Sequence, residues 1–71
     1  MKKTEQLRLA FNAIKAGGTI QPKNTKGKIW IYFGFIYWQN FGQSANKIKI
    51  SELRWIFKTI FKAENYEFTI L

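Results

Sequence analysis

The most constraining feature of this 71-residue chain is an aromatic run, residues 28–41, that reads KIWIYFGFIYWQNF. More than half of the chain's aromatic residues lie in this run. A strand in a small antiparallel sheet usually has one polar face, but strict alternation leaves neither face of this run polar. The run is therefore either covered by protein on both faces or exposed on one face as a platform for a ligand, a nucleic acid or a second subunit. One alternating face carries Ile29, Ile31, Phe33, Phe35 and Tyr37, and the other carries Trp30, Tyr32, Gly34, Ile36 and Trp38.

The length of the run leaves its strand assignment open. A run of 14 residues is much longer than the ~5–6 residues of an ordinary strand. Gly34 interrupts it, and a glycine inside a strand indicates a bulge, a bend or the close approach of another backbone. The run is either one long bent strand or two strands that meet near residues 34–36.

The N-terminal part of the chain predicts a helix over residues 4–16. Thr4 is a suitable N-cap, and Glu5 lies in the first turn, where the helix dipole favours an acid. The glycine pair at 17–18 is expected to end the helix. One amphipathic stripe follows the helical spacing and consists of Leu7, Ala10, Phe11 and Ile14.

Short strands are predicted on both sides of the aromatic run. Residues 19–21 read as a strand that Pro22 ends, which indicates an edge strand or a strand end. Residues 19–33 form a credible hairpin with a turn near residues 24–27. Residues 47–50 alternate lysine with isoleucine, and a lysine-bearing short strand is typical of a sheet edge.

A second helix is predicted over residues 52–63, capped by Ser51. A final strand is predicted near residues 66–70. The sequence therefore predicts one α+β domain over residues 1–71, with an antiparallel sheet of three to four strands and two helices in the order α-β-β-(β)-β-α-β. The apolar stripe of the second helix consists of Leu53, Ile56, Phe57, Ile60 and Phe61.

Missing residue types exclude several classes of function. The chain has no Cys, His or Asp, which excludes disulfides and the usual zinc sites and leaves few groups for acid–base catalysis. We attribute Glu64 and Glu67 to surface solvation, and Glu5 and Glu52 to helix N-termini. We therefore expect a non-enzymatic protein with no cofactor and no metal.

The charge of the chain predicts an anionic partner. Twelve Lys and Arg residues against four Glu give a formal charge of +8 and a pI near 10.1, which favours nucleic acid, DNA or RNA. The alternative is that the lysines only keep an aromatic protein soluble. The candidate contacts are a hairpin group (Lys23, Lys26, Lys28), an edge-strand group (Lys47, Lys49) and a helix ridge (Arg54, Lys58, Lys62).

Aromatic side chains provide a second candidate contact. Trp30, Tyr32 and Trp38 on one strand face, flanked by lysines, are suited to stacking on bases. Packing under a helix is the favoured alternative, because a small domain with a marginal core uses every aromatic residue it has. The helix ridge, with Trp55 beside it, is a candidate recognition helix, and an ordinary solvated face explains it as well.

A protein partner is the main alternative. A short chain without catalytic residues is also typical of a phage or mobile-element inhibitor or regulator. Its aromatic face would then be a hot-spot surface for another protein or for a second copy in a homodimer. No segment reaches the ~20 apolar residues that span a bilayer, and residues 1–8 are too polar for a signal peptide, so we expect a cytoplasmic protein without a membrane partner.

The order helix, hairpin, strand, helix resembles a double-stranded-RNA-binding domain. Residues 42–47, GQSANK, precede the second helix, as a Gly-rich and lysine-bearing stretch does in that family. Ile48 stands where that family has a further lysine, and Trp55, Ile56 and Phe57 replace its small helix residues. The resemblance is one of topology and implies no function.

Overall fold

A computed structural model describes residues 2–63 and 65–71. The elements are α1 (Lys3–Lys15), β1 (Ile20–Pro22), β2 (Lys28–Tyr32), β3 (Phe35–Gln39), β4 (Asn46–Ile48), a helical segment over residues 50–60, and β5 (Phe68–Ile70). The five antiparallel strands form one sheet in the order β4-β3-β2-β1-β5, and the helices pack on it. The α+β class and the order of elements are confirmed, with one strand more than the three to four predicted.

The two helical elements lie on the same face of the sheet. Ala10 and Ile14 of α1 belong to the same buried cluster as Ile56 and Phe57 of the helical segment. Paired isoleucines of the strands complete this cluster from below. These are Ile20 opposite Ile29, and Ile36 opposite Ile31 and Ile48. The predicted apolar stripes of both helices are therefore confirmed as core, and the opposite face of the sheet receives no helix.

The helical segment is less regular than predicted. It consists of a 3₁₀ turn at Ile50–Glu52, one α-helical turn at Leu53–Trp55 and a π-helical turn at Ile56–Ile60. The predicted cap at Ser51 is wrong, since the Lys49 N–H instead bonds the Glu52 carboxylate at 3.4 Å. β-Branched and aromatic residues have low helix propensity, so burial rather than local preference holds this segment together.

Three boundaries also differ from the predictions. α1 begins at Lys3 without a side-chain cap from Thr4, although it ends before the glycine pair as expected. β1 lies between β2 and β5, so it is not an edge strand, and Pro22 occupies its last position opposite Phe68. β4 is an edge strand as predicted, but it ends at Ile48, and Lys49 already precedes the helical segment.

Gly27 illustrates how tightly the helical segment is placed on the sheet. Residue 27 is buried, and a Cβ atom there would overlap the ring of Phe61. Phe61 itself is 6% exposed and lies edge-on to Trp38, with ring centroids 6.0 Å apart. The turn between β1 and β2 therefore needs a residue without a side chain at position 27.

We expect Gly27→Ala to lower the free energy of unfolding by about 2 kcal/mol, because an added methyl group overfills a packed core. Urea denaturation followed by tryptophan fluorescence measures the change. In a Phe61→Leu background the shorter side chain leaves room, so the same substitution should cost about half as much. An equal cost in both backgrounds would contradict the contact.

Candidate nucleic-acid interface

A two-residue turn divides the aromatic run into two strands. Phe33 and Gly34 both have positive φ, 49° and 81°, and the flanking residues Tyr32 and Phe35 are directly paired. Two central residues with positive φ define a type I′ turn, whose twist matches that of a β-hairpin. The run is therefore two strands, β2 and β3, and the interpretation as one long strand is wrong.

The turn redistributes the aromatic side chains between the faces. Trp38 pairs with the buried Ile29 and contacts Phe61, so it belongs to the helix-covered face. The prediction that Trp38 shares a face with Trp30 and Tyr32 is wrong, because alternation restarts across a two-residue turn. The uncovered side, here called the outer face, instead carries Lys28, Trp30, Tyr32, Phe35, Tyr37, Gln39 and Lys47.

Four aromatic rings form the centre of the outer face. Trp30 and Tyr37 are cross-strand partners whose rings stack, with centroids 6.0 Å apart and planes 14° from parallel. Tyr32 meets Tyr37 edge-on at 6.3 Å. Tyr32 and Phe35, which end the two strands, are 58% and 47% exposed, while Trp30 and Tyr37 are half-buried. The result is a ridge of ring faces and edges open to solvent.

Two lysines flank this aromatic centre. Lys28 pairs with Gln39 at one end of the hairpin, and Lys47 of the edge strand β4 pairs with Tyr37. The Lys47 ammonium lies 4.6 Å from the centroid of the Phe35 ring, which places a positive charge directly beside the aromatic surface. Both lysines are exposed, so the outer face combines π surface with positive charge.

The remaining hairpin lysines divide between two places. Lys26 lies 4.9 Å from the ring centroid of Phe41, and both residues line a shallow concavity with Lys28 at the end of the outer face. Lys23 instead forms an ion pair with Glu67, with Nζ 2.6 Å from Oε2. The predicted hairpin group is therefore split, and only Lys26 and Lys28 lie near the outer face.

The helix ridge lies on the other layer of the molecule. Arg54 and Lys58 are exposed on the helical segment that covers the opposite face of the sheet, as is Trp55 at 50% exposure. The Arg54 Nε donates a 3.1 Å hydrogen bond to the Tyr66 hydroxyl, and this bond raises the pKa of Arg54 because it favours the charged guanidinium. Lys62 follows this segment and lines a concavity with Lys23. The three predicted basic groups therefore do not converge on one surface.

The acidic side chains and the helix lengths bear on metal binding and on membrane insertion. Residues 2–63 and 65–71 contain no cluster of acidic residues that could hold a metal ion. Glu67 is engaged by Lys23, and Glu64 lies outside the described residues. Within the same ranges no helix is both long and apolar enough to cross a membrane.

Comparison with known proteins adds no information about function. The chain matches no protein-family model, no curated protein and no solved structure. The topological resemblance to double-stranded-RNA-binding domains is therefore not supported by any match.

Phe35 and Tyr37 belong to the aromatic centre, although strict alternation predicts them on the face opposite Trp30 and Tyr32. The sequence did contain a signal for the turn, because Gly34 lies between two apolar segments of similar length. Two such segments joined by a residue and a glycine are typical of a two-residue hairpin turn. The residue before this glycine is usually asparagine or aspartate, and the phenylalanine at position 33 does not indicate a turn.

The division of the aromatic residues between the faces predicts different costs for two tryptophans. We expect Trp38→Ala to lower the free energy of unfolding by about 2–4 kcal/mol, because it leaves a cavity under the helical segment. Trp30→Ala removes a cross-strand pair on an open face and should cost about 1 kcal/mol or less. Equilibrium urea denaturation of both variants measures the difference. Equal costs would contradict the assignment of Trp38 to the core face.

Proposed function

We propose that this protein binds single-stranded nucleic acid on the outer face of its sheet. The observation that carries the proposal is the open aromatic centre, Trp30, Tyr32, Phe35 and Tyr37, flanked by Lys28 and Lys47 while both helices lie on the opposite face. Aromatic rings stack on unpaired bases, and lysines attract the phosphates between them.

The spacing of the hairpin suits successive bases. The pairs Trp30–Tyr37 and Tyr32–Phe35 are neighbouring rungs on one face of the hairpin. Alternate residues along a strand are about 6.6–6.8 Å apart, which is two steps of the strand rise. This distance is wide enough for each cross-strand pair to contact its own base. We therefore propose that at least two consecutive bases lie on the aromatic centre.

The shape of the surface favours a single strand over a duplex. Ring faces are useful only to bases that have left the duplex stack, and a sheet face presents no helix that could enter a major groove. The predicted helix ridge, at Arg54 and Lys58, lies on the other layer of the molecule, away from the aromatic centre.

The distribution of charge supports the same proposal. The net charge of +8 attracts a polyanion at long range. Among the described residues of β2, β3 and β4, the outer face carries no carboxylate. Glu5 lies in α1, Glu52 lies in the helical segment, and Glu67 forms an ion pair with Lys23. We propose a non-enzymatic role in the cytoplasm, with DNA and RNA both accepted, since every base has a ring face on which to stack.

The salt dependence of binding separates the outer face from the helix ridge. We expect Lys28→Gln with Lys47→Gln to weaken binding of a fluorescein-labelled oligothymidylate and to make the slope of log K against log salt shallower by about 1.4, since each phosphate contact contributes about 0.7. The matched control is Arg54→Gln with Lys58→Gln, which removes the same net charge from the other layer.

Fluorescence anisotropy at several salt concentrations measures both pairs. The control pair should show a smaller loss of affinity and a nearly unchanged slope. Equal slopes for the two pairs would contradict the placement of the phosphates at the outer face.

Stacking predicts a different effect from charge. Trp30→Ala should weaken binding by about 1–3 kcal/mol, or roughly 5- to 150-fold, because it removes one stacking surface. Trp55→Ala removes an equally large and more exposed ring from the helical layer and should change affinity by less than about twofold. Circular dichroism verifies that both variants are folded.

A wild-type protein indifferent to every oligonucleotide would contradict the proposed function. If the protein then self-associates through the outer face, and Trp30→Ala abolishes this, the aromatic centre would be a protein interface instead. Light scattering at low and high salt separates these outcomes.

A further inference from the structure

Phe33 has a backbone conformation that its side chain disfavours. Its φ of 49° lies in the left-handed region, where a Cβ atom crowds the backbone and where Gly, Asn and Asp are the usual residues. Three other non-glycine residues also have a positive φ, namely Asn24 at 62°, Lys62 at 53° and Tyr66 at 56°. Tyr66 is also aromatic, but its side chain is buried in the core at 2% exposure. A bulky aromatic residue at the first position of a type I′ turn therefore destabilises the hairpin relative to asparagine.

The side chain of Phe33 gains little from the fold in return. It is 85% exposed, more than any other large hydrophobic residue described. Its one aromatic neighbour is Tyr32, which it meets edge-on with centroids 4.4 Å apart. Phe33 thus extends the aromatic surface beyond the last rung of the hairpin, and its ring remains free for a further contact.

We propose that Phe33 stacks on an unpaired base next to the aromatic centre and so marks one end of the bound strand. This inference rests on the proposed function and names the residue that limits its binding site. Strain and exposed apolar surface at one residue are typical of a functional contact, because neither stabilises the free protein. The Lys47 ammonium beside the neighbouring Phe35 ring favours a nucleic-acid base over an apolar protein pocket as the occupant.

Two substitutions separate the ring from the strain. Phe33→Asn relieves the backbone and removes the ring, whereas Phe33→Tyr keeps both the ring and the strain. We expect Phe33→Asn to raise the melting temperature by roughly 4 °C while weakening oligothymidylate binding at least fivefold. Phe33→Tyr should bind within about twofold of the wild-type protein and melt at a similar temperature.

An abasic scan then locates the base. A single abasic site is moved along an eight-residue oligothymidylate, and each version is titrated with the wild-type protein and with Phe33→Asn. We expect one position, at the edge of the bound segment, where the abasic site weakens wild-type binding about fivefold and leaves Phe33→Asn unaffected. Such coupling is expected of a base and a ring that are in contact.

The outcomes distinguish this inference from the proposed function. If Trp30→Ala weakens binding but Phe33→Asn does not, or if no position is coupled to Phe33, the proposed role of Phe33 is wrong and the outer face remains the binding site. If Phe33→Asn lowers the melting temperature, the ring serves the fold and the inference also fails. If the wild-type protein binds no oligonucleotide, both proposals fail.

Discussion

The reversal of the backbone at Phe33 and Gly34 determines the rest of the structure. With two residues in the turn, the pairing of β2 with β3 is fixed, and so is the face on which each aromatic residue lies. The helix-covered face receives Ile29, Ile36 and Trp38. The outer face receives the aromatic rings of Trp30, Tyr32, Phe35 and Tyr37. A turn of one residue more or fewer would reverse one strand and place Trp38 outside the core.

The core of this small domain depends on both helices sharing one face. A chain of this length buries only about 60–65% of its unfolded surface, and without Cys it has no disulfide to compensate. The buried isoleucines of the sheet, Ile20, Ile29 and Ile36, are therefore covered by α1 and the helical segment together. The consequence is an outer face on which four aromatic residues remain uncovered. Exposed aromatic surface contributes little to the fold, and binding is the physical reason we propose for it.

Much of the fold could be predicted from the sequence. Helical periodicity identified the buried stripes of both helices, and alternation identified the lysine-bearing edge strand, because these patterns follow directly from burial. The irregular turns of the helical segment could not be predicted, since its residues have low helix propensity and burial against the sheet holds the segment in place. The position of β1 in the sheet could not be predicted from Pro22 either. A strand that ends at proline can lie inside a sheet as well as at its edge.

The candidate site could be predicted only in part. Trp30, Tyr32, Lys28 and Lys47 were identified from composition and spacing, but their relation to Trp38 depended on the turn. The sequence also could not predict whether the basic groups lie on one surface. Groups that are distant in sequence are brought together or kept apart by tertiary packing. The structure separates the outer face from Arg54 and Lys58, and this separation allows matched variants with the same net charge.

The most direct test of binding at the outer face uses the three tryptophan indole N–H groups, which lie in three different places in the molecule. Trp30 lies on the outer face, Trp38 under the helical segment and Trp55 on the helical layer. A ¹H–¹⁵N NMR titration of the protein with oligothymidylate follows all three signals at once. If the outer face binds the nucleic acid, the Trp30 signal shifts or broadens while those of Trp38 and Trp55 change little. A shift confined to Trp55, or no shift at saturating oligonucleotide, would show that the outer face is not the binding site.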